Sequence, residues 1–425
     1  MRHVAVIGGG AAGLAAAIAA AQAGARITVH EARERVGQKL LATGNGRCNL
    51  TNTRVAPAAY NAPAFVAPAL AQHGCEEMRT WFAQLGLLTV EEREGRVYPL
   101  SNTANSVLDV LRAACARLGV QVLTGQRVQR IADVAADADA VVVACGGGST
   151  LLASAGHALV PAQPVLCSLA CDVQPLRGLA GVRARAQVSV LAGDVADGTA
   201  AGGAPANSAV GAVRFREAGE VQFKDYGVSG VVVFDASRFA RPGDVLAFDF
   251  MPQLAQEELA ALLAQRLQAL AAGGVATGGE LAGVASGGLA VVCGPAADGS
   301  AVGGVPPTYE QLLCGMWHTR VNAAVLRAAG CKPSAPADAV ALAGIARAAK
   351  GLRAQVKGPG DVKHAQVTRG GAELAQFDAA TLQSRLQPGL YAAGEALDVD
   401  GRCGGYNLHW AWASGRVAGA CAASE

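Results

Sequence analysis

Residues Val4–Gly13 read VAVIGGGAAG, so an apolar run passes directly into a glycine-rich turn. Ala11–Ala23 is then rich in strong helix formers, and Gly24 ends that pattern. Arg26–His30 is a second β-like run. A strand, a helix and a strand in this order form a βαβ unit, which predicts a parallel sheet.

The glycines within this stretch have the spacing Gly8-x-Gly10-x-x-Gly13. In a dinucleotide-binding turn the first glycine permits the turn, the second lets the backbone approach a diphosphate, and the third lets the helix pack on the strand. The N–H groups of the first helical turn, including those of Ala11 and Ala12, would face the phosphates. The alternative is a glycine-rich turn that binds no ligand.

An acidic residue follows at the position where such a site needs one. Glu31, next to Ala32, ends the second β-like run and lies 18 residues beyond Gly13. A carboxylate there accepts hydrogen bonds from an adenosine ribose and disfavours a ribose 2′-phosphate. The sequence therefore favours FAD or NAD over NADP at this site.

A second segment, GQKLLATGNGRCNLTN at Gly37–Asn52, is difficult to explain by structure alone. It presents backbone donors, an arginine and amides within a short loop, which could wrap a diphosphate or a flavin edge. An ordinary polar surface loop is the alternative, and Cys48 is expected to be a packed thiol rather than a redox one. The candidate cofactor residues in this loop are Thr43, Gly44, Asn45, Gly46, Arg47 and Asn49.

Near the other end of the chain, Gly389–Glu395 reads GLYAAGE, and Gly404-Gly405-Tyr406-Asn407 follows. Gly394 would let the backbone pass a cofactor closely, and Glu395 could hold a sugar or ribityl hydroxyl. The second motif opens a helix whose N–H groups could stabilise negative charge on a reduced flavin. An unrelated helix start is the alternative, and Trp410 and Trp412 are expected to be core residues.

The run Ala140–Ala144 (AVVVA) predicts a strand that is buried on both faces. Gly146-Gly147-Gly148 follows without the spacing of a second dinucleotide motif. We therefore expect Ala144, Cys145 and Gly146 to approach the same cofactor.

Composition narrows the class of protein. A chain of 425 residues is expected to form two or three domains, and a net charge of +2 without dense basic runs argues against nucleic-acid and anionic-membrane partners. Eleven cysteines at irregular spacing predict neither disulfides nor a metal site and suit a reducing compartment. The expectation is a soluble, cytoplasmic protein without a signal peptide that acts on a small molecule, its oligomeric state left open.

The pattern along the chain predicts an α/β protein with a discontinuous first domain. That domain spans 1–165 and 355–425, and it is interrupted by a β-rich domain at 166–250 and a helical one at 251–354. Strand-like runs in the β-rich part include Val231–Phe234, and the helical part includes Tyr309–Ala329 and Ala337–Ala349. Two Gly-rich stretches, 192–209 and 271–304, are expected to be loops.

Five segments together resemble a bacterial family of FAD-dependent oxidoreductases, described as NAD(P)/FAD-dependent or aminoacetone-oxidase-like, which includes a bile-acid dehydro-reductase. The segments are GGGAAGLAAAIAAA, KLLATGNGRCNLTN, EGRVYPLSNTANSVLDVL, GEVQFKDYGVSG and GLYAAGEALDVDGRCGGYNLHWAWASG. The second and last are the most specific, and the match covers essentially the whole chain.

This resemblance implies a discontinuous Rossmann-like FAD-binding domain with an inserted β-rich domain and a small helical domain. It implies FAD contacts at Gly10, Glu31, Lys39, Gly46, Arg47, Cys48, Val128 (through its backbone, at the adenine), Ala144, Gly394, Glu395 and Asn407. Cys145 stands where the family often has Thr, and His409 where it often has Gln.

The leading hypothesis is therefore an FAD-dependent oxidoreductase that passes hydride between flavin N5 and a small organic substrate or NAD(P)H. Because the flavin carries the chemistry, an acid–base dyad need not be visible in the sequence. His409 and Tyr406 are the catalytic candidates, and Tyr98 is a further residue that could transfer a proton. Amine oxidase and NAD(P)H-dependent reductase both stay open, with a flavin-dependent RNA-modifying enzyme and a non-catalytic flavin-binding protein as alternatives.

Overall fold

A computed structural model of the protein describes residues 1–193, 211–272 and 306–424. Most of the two Gly-rich stretches expected to be loops, 192–209 and 271–304, lies outside these residues. The strands are β1 (His3–Ile7), β2 (Arg26–His30), β3 (Thr51–Asn52), β4 (Thr89–Glu91), β5 (Arg96–Pro99), β6 (Gln121–Leu123), β7 (Ala140–Val143), β8 (Leu159–Val165), β9 (Leu169–Cys171), β10 (Arg183–Leu191), β11 (Val213–Phe223), β12 (Gly227–Ser229), β13 (Val245–Asp249), β14 (Leu352–Pro359), β15 (Val367–Ala372) and β16 (Leu390–Ala392).

The helices are α1 (Ala11–Gln22), α2 (Gln38–Ala42), α3 (Pro63–Gln72), α4 (Cys75–Leu85), α5 (Ala104–Arg117), α6 (Ala132–Ala135), α7 (Val231–Ser237), α8 (Gln256–Ala271), α9 (Tyr309–Leu313), α10 (Thr319–Ala328), α11 (Leu342–Lys350) and α12 (Tyr406–Ser424). None of these helices has both the length and the apolar character needed to cross a membrane. The chain divides into unit 1, Met1–Val165 with Ala365–Glu425, and unit 2, Leu166–His364. Each unit has its own hydrophobic core.

A five-stranded parallel sheet lies at the centre of unit 1, in the order β16-β7-β1-β2-β6. Strand β1 is central because its apolar residues are buried on both faces, as the continuous run VAVI requires. Strand β16, from the far end of the sequence, pairs with β7 in register Leu390 to Val141. This arrangement confirms the predicted Rossmann-like sheet.

Helices α1 and α12 pack together more closely than side chains normally allow. A Cβ added to Gly415 would lie 2.3 Å from the Ala12 carbonyl oxygen, and one added to Gly419 would lie 2.2 Å from that of Ala16. Small residues four positions apart on both helices therefore bring the two backbones into contact. The first and last helices of unit 1 are fixed to each other as a pair.

Two small antiparallel sheets complete unit 1: β3-β5-β4, and the pair β15-β8. In the second sheet, Val165 is paired with Val367. The last residue before unit 2 therefore lies beside the segment in which the chain re-enters unit 1. Unit 2 is inserted between two adjacent points of unit 1.

Unit 2 is built on a closed antiparallel barrel in the order β10-β11-β12-β9-β14-β13. Residues of α8 to α11, among them Leu259, Leu313 and Ile345, share one core with barrel residues such as Phe223 and Phe248. The expected inserted β-rich domain is thus a barrel.

Three expectations for unit 2 differ from the structure. Val231–Phe234, expected as a strand, begins α7. The helix expected over Tyr309–Ala329 is divided into α9 and α10, because Gly315 takes the left-handed φ of +80° between them. The return of the first domain, expected at 355, falls inside β14, which pairs with β13 and β9 and closes the barrel. The structure places the return at Ala365.

Candidate functional site

A cavity of about 750 Å³ lies in unit 1, at the carboxyl ends of β1, β2, β7 and β16. This is the edge of a parallel sheet where α/β proteins bind ligands, and the volume falls in the range of roughly 300–1,000 Å³ for such sites. The predicted cofactor residues on its wall are Gly8, Gly10, Ala11, Ala12, Glu31, Ala32, Lys39, Thr43, Val128, Ala144, Cys145, Gly146, Gly394, Glu395 and Asn407. The structure thus brings the two ends of the sequence to one cavity.

The glycine-rich turn between β1 and α1 shows why each glycine is needed. Gly8 has a φ of +106°, and a Cβ on it would lie 2.5 Å from the Ala144 carbonyl oxygen. A Cβ on Gly13 would lie 1.8 Å from the Gly8 carbonyl oxygen, so Gly13 serves helix packing and does not line the cavity. Gly10 lines the cavity, and no protein atom lies within 4 Å of the position of its Cβ.

Glu31 follows β2 directly and is fixed by the backbone on two sides. Its Oε2 accepts a 2.8 Å hydrogen bond from the Gly9 N–H, and its Oε1 accepts one of 2.8 Å from the Arg33 N–H. The carboxylate is half-buried and lines the cavity. Its remaining lone pairs are available to hydroxyl donors of a ligand.

The turn at Gly394 and Glu395 is held by α12. The Gly394 N–H donates to Ser414 Oγ at 2.9 Å, and Trp410 Nε1 donates to the Gly394 carbonyl at 3.2 Å. Glu395 Oε2 lies 2.6 Å from Lys39 Nζ and accepts a 3.3 Å hydrogen bond from the Gly147 N–H. The side chain of Glu395 is 17% exposed, so this ion pair lies on the cavity wall.

Most of the Thr43–Asn49 loop is directed away from the cavity. Only Thr43 lines it, and Gly44, Asn45, Gly46 and Cys48 take left-handed φ values. The Arg47 guanidinium packs over the Tyr98 ring at 4.0 Å and binds the side chains of Glu92 and Asn102. Residues Gly44 to Asn49, which were expected to contact the cofactor, therefore do not line the cavity.

Two residues of this loop, Cys48 and Asn49, are buried in the protein interior. Cys48 is fully buried, and desolvation raises the pKa of its thiol to about 12, which fits the expected packed thiol. Asn49 is buried with its Oδ1 unpaired, 2.9 Å from the position of a Cβ on Gly405. Asn49 thus lies against the residues that open α12.

The start of α12 contributes main chain rather than side chains. Gly404 and Gly405 have φ values of +112° and +103°, and a Cβ on Gly405 would lie 2.4 Å from the Thr51 carbonyl oxygen. Neither glycine lines the cavity. The Asn407 side chain hydrogen-bonds to Gly401 and Arg402, so its amide fixes the loop before α12, and Asn407 lines the cavity.

The two catalytic candidates do not line the cavity. His409 is fully buried, its Nδ1 lies 2.7 Å from Thr51 Oγ1, and burial lowers its pKa to about 4. The Tyr406 ring packs edge-on against Tyr60, with centroids 6.3 Å apart. The fold therefore does not bring His409 or Tyr406 to the cavity wall, and their positions do not support proton transfer by either residue.

Several cavity residues had no motif that could have revealed them. Gln366 and Val367 line the cavity at the start of β15, which follows directly on the return from unit 2. Residues that follow the glycines Gly146–Gly148 also line the cavity, and so do residues next to Val128 in the sequence. These additional lining residues include Arg33, Arg35, Gln126, Arg127, Thr150 and Ser154.

Three features of the cavity suit FAD. The first turn of α1 opens towards it with free space at Gly10, which suits a diphosphate. Glu31, a carboxylate at the end of β2, suits an unphosphorylated ribose. Asn407 and Leu408, in the first turn of a 19-residue helix, also line it, and their end of the helix favours a ligand that becomes negatively charged.

Comparisons with known proteins agree with this arrangement. A family model described as HI0933-like protein Rossmann domain matches residues 2–421. The chain is 32% identical, over 460 residues and 100% of both chains, to a 3-dehydro-bile acid delta(4,6)-reductase of Clostridium scindens. It is 26% identical to a ribosomal RNA dihydrouridine synthase of Escherichia coli, over 98% of this chain and 96% of that protein.

Among solved structures, the chain is similar to a 3-ketosteroid-delta4-(5alpha)-dehydrogenase from Rhodococcus jostii RHA1. The two share 16% identity over 100% of this chain and 97% of the other, with a TM-score of 0.42. A similarity at this level carries no argument about activity.

Proposed function

This chain belongs to the HI0933-like family of Rossmann-domain flavoproteins, and on that basis we propose that it is an FAD-dependent reductase. The bond it reduces is a carbon–carbon double bond conjugated with a carbonyl group in an organic ring. A nicotinamide dinucleotide, NADH or NADPH, supplies the electrons.

The observation that carries the proposal is the convergence of α1 and α12 on one cavity. The N–H groups at the first turn of a helix have no partner within the helix, so they bind anions. One such end suits the diphosphate of FAD, and the other suits negative charge on the flavin. When bound, FAD supplies the hydride chemistry.

The chain's own residues would hold the cofactor at distinct points. The backbone at Gly10 and Ala11 would bind the diphosphate, Glu31 the adenosine ribose, and the backbone of Val128 the adenine. Lys39 and Glu395, already paired at 2.6 Å, would hold the ribityl chain between the two helix ends. Trp410 and Ser414 keep the Gly394 turn in place for this contact.

The activities of two similar proteins support reduction, rather than oxidation, of the substrate. Both named activities, the bile-acid delta(4,6)-reductase and the dihydrouridine synthase, add hydrogen to a carbon–carbon double bond of a ring. The more similar protein acts on a steroid-type substrate, which favours a small apolar enone for this chain.

Reduction of a uridine ring in RNA is the second candidate. It is favoured by the similarity to the dihydrouridine synthase over nearly the whole of both chains. The net charge of +2 weighs against it, because RNA-binding proteins usually carry clustered basic residues.

The experiment has three steps. Purified protein with added FAD is examined for the visible absorbance of bound flavin, and that flavin is then reduced anaerobically with NADH, NADPH or a panel of amines in a stopped-flow instrument. The reduced protein is finally mixed with 4-androstene-3,17-dione or with a uridine-containing RNA.

We expect a nicotinamide to bleach the flavin and the steroid enone to restore its colour. Bleaching by an amine alone would favour the amine-oxidase reading and exclude the reductase. Reoxidation by the RNA but not by the enone would select the second candidate, and protein that binds no flavin would exclude both.

A further inference from the structure

A second cavity, of about 320 Å³, lies in unit 1 and is lined by residues of α4, of the segment before it and of α12. It shares no lining residue with the cavity at the edge of the parallel sheet. Arg416 of α12 and Trp81 of α4 both line it, and so does His73, which precedes α4. This α4–α12 cavity has no part in the proposed reduction.

Arg416 brings a half-buried charge that has no counter-ion. Its guanidinium forms no ion pair and no hydrogen bond with any other described residue, and its Nη1 is fully enclosed. The guanidinium packs over the Trp81 ring, with Cζ 5.2 Å from the ring centroid. Burial lowers the pKa of Arg416, but an arginine stays charged at neutral pH. Stacking on an indole offsets only part of the cost of removing a guanidinium from water, so a positive charge is left without its anion.

The reachable edge of the Arg416 guanidinium is the edge that suits a carboxylate. Of its three nitrogens, only Nη1 is fully enclosed without a partner, so Nε and Nη2 stay accessible. These two nitrogens form a pair of parallel donors that can hold both oxygens of one carboxylate. Trp81 is a second unsatisfied donor, because its Nε1 has no partner among the described residues although the residue is 2% exposed. Two unsatisfied donors in one cavity indicate an acceptor that the protein itself does not supply.

The other ionisable groups of the cavity limit the charge of that acceptor. Glu76 lies 3.0 Å from Arg79, so its charge is already balanced. The Glu77 carboxylate turns back to the start of α4, where its Oε2 is 2.9 Å from the position of a Cβ on Gly74. Burial is the main cause that lowers the pKa of His73 to about 4, so its ring is neutral at pH 7. One free guanidinium with one carboxylate nearby suits a monoanion and disfavours a phosphate dianion.

The remaining lining residues are neutral side chains that form hydrogen bonds. Thr80 and Gln84 share one face of α4 with Glu77 and Trp81, because the four are spaced i, i+3, i+4 and i+7. Gln72, at the end of α3, also lines the cavity, and all three neutral side chains are exposed. They suit a ligand with a small polar body beyond its carboxylate.

We propose that the α4–α12 cavity binds a small organic monocarboxylate, with both carboxylate oxygens on Nε and Nη2 of Arg416. Hydroxyl or carbonyl groups of the ligand meet the side chains of Thr80, Gln72 and Gln84. Binding is non-covalent and requires no flavin.

The test titrates the full-length protein, labelled with ¹⁵N at the indoles of its tryptophans, with acetate, lactate or inorganic phosphate at constant ionic strength. The chain has four tryptophans, and the Trp81 signal is identified by its loss in Trp81→Phe. We expect the two carboxylates to shift the Trp81 signal until it saturates, while the signals of the other three tryptophans stay in place. Lactate should bind more tightly than acetate because of its hydroxyl, and phosphate should bind less tightly than either.

The decisive variant is Arg416→Gln, with Arg112→Gln as the matched control. Arg112 is an exposed arginine of α5 that lines neither cavity. We expect Arg416→Gln to weaken lactate binding by about 10–100-fold, because hydrogen bonds to a charged group are lost, and Arg112→Gln to bind as wild type does. Glu77→Gln should tighten binding, because it removes the negative charge closest to the free guanidinium.

Melting temperatures without ligand show whether the variants fold. Arg416→Gln should melt at the temperature of the wild type or above it, because it removes a half-buried charge that has no partner. If Arg416→Gln folds poorly, Arg416→Lys takes its place. Arg416→Lys keeps the charge but loses the pair of parallel donors, so it should also weaken lactate binding.

The proposal is overturned if no carboxylate shifts the Trp81 signal to saturation, or if the folded variant at position 416 binds lactate as tightly as wild type does. Tighter binding of phosphate than of lactate would likewise overturn the assignment to monocarboxylates. None of these results bears on flavin reduction, which is measured separately.

Discussion

Gly10 and Gly13 share one turn but have different surroundings. The position of a Cβ on Gly10 is free of protein atoms and faces the cavity, whereas a Cβ on Gly13 would collide with the Gly8 carbonyl oxygen at 1.8 Å. Gly10 also has a φ of −84°, which alanine adopts without strain. One glycine is therefore kept for the ligand and the other for the fold.

This difference predicts opposite phenotypes. Gly10→Ala should leave the melting temperature of the cofactor-free protein unchanged and weaken FAD binding, because the methyl group enters the ligand's space. Gly13→Ala should destabilise the cofactor-free protein by about 1–3 kcal/mol or more through overpacking. Thermal melting without FAD and titration with FAD measure the two effects. Equal loss of stability in both variants would contradict the assignment.

His409 predicts a dependence of stability on pH. Its pKa is about 4 in the folded protein against an ordinary 6.5, so between these values the unfolded chain binds the proton and the folded one does not. The free energy of unfolding should therefore fall as the pH is lowered from 6.5 to 4, by at most about 1.4 kcal/mol per pH unit for this group.

The variant His409→Gln should reduce that slope, since glutamine can still hydrogen-bond to Thr51 and does not titrate. Part of the pH dependence of stability should remain in this variant, because the pKa of His73 is also lowered to about 4. Melting temperatures measured from pH 4 to 7 check this. Parallel curves for the two proteins would show that His409 titrates normally when folded.

Individual site residues could be predicted where the signal is local. Glu31 was found from its distance to the glycine motif, and it does line the cavity. Arg47 was misplaced because its partners, Glu92 and Asn102, are 45 and 55 residues further along the chain. No pattern within the loop shows that the guanidinium is already engaged.

At the level of elements, the pairing of α1 and α12 depends on Gly415 and Gly419. Gly419→Ala would place a methyl group 2.2 Å from the Ala16 carbonyl oxygen, so α12 must move away from α1. We expect a loss of about 1–3 kcal/mol or more in stability, with weaker FAD binding because the two helix ends diverge.

Gly344→Ala is the matched control for this substitution. Gly344 is also helical, on α11, and no atom lies within 4 Å of the position of its Cβ. It should leave the protein as stable or gain up to about 1 kcal/mol. If Gly419→Ala and Gly344→Ala had the same melting temperature, the close contact between α1 and α12 would not contribute to stability.

Two short apolar runs, Val4–Ile7 and Ala140–Ala144, are predicted correctly as the strands β1 and β7, whereas a third short apolar run is not. The run Val231–Phe234 has strand-forming residues, but it begins α7 directly after Gly230, which has a φ of +111°. Val232 packs where Gly219 of β11 leaves room for it. Periodicity alone does not separate a buried strand from a short buried helix.

At the scale of the molecule, the two units have separate cores, and the chain passes between them at adjacent points of unit 1. Replacing residues 166–364 with a short glycine–asparagine turn between β8 and β15 should therefore leave unit 1 able to fold. We expect the shortened protein to bind FAD, because every described residue that lines the cavity is in unit 1. Flavin fluorescence and absorbance after gel filtration measure this; a shortened protein that folds but retains no FAD would contradict it.

The error in the domain boundary also has a physical cause. Strand β14 alternates between buried and exposed residues along Leu352–Pro359, which is typical of an antiparallel strand with one solvated face. That alternation was visible in LRAQVKGP and pointed to the barrel rather than to the parallel sheet. Sequence alone could not show which strand closes the barrel, because that depends on pairing across about a hundred residues or more.

The pairing of α1 with α12 also has a consequence for how the protein is made. Gly10 and Glu31 of the cavity wall lie within the first 31 residues, whereas Gly394, Glu395 and Asn407 lie after residue 389. The small-residue face of α1 therefore stays uncovered during synthesis until α12, almost 400 residues later, has been made. A polypeptide that lacked α12 would keep the glycine-rich turn and Glu31 but would lose Asn407 and Leu408 from the cavity wall.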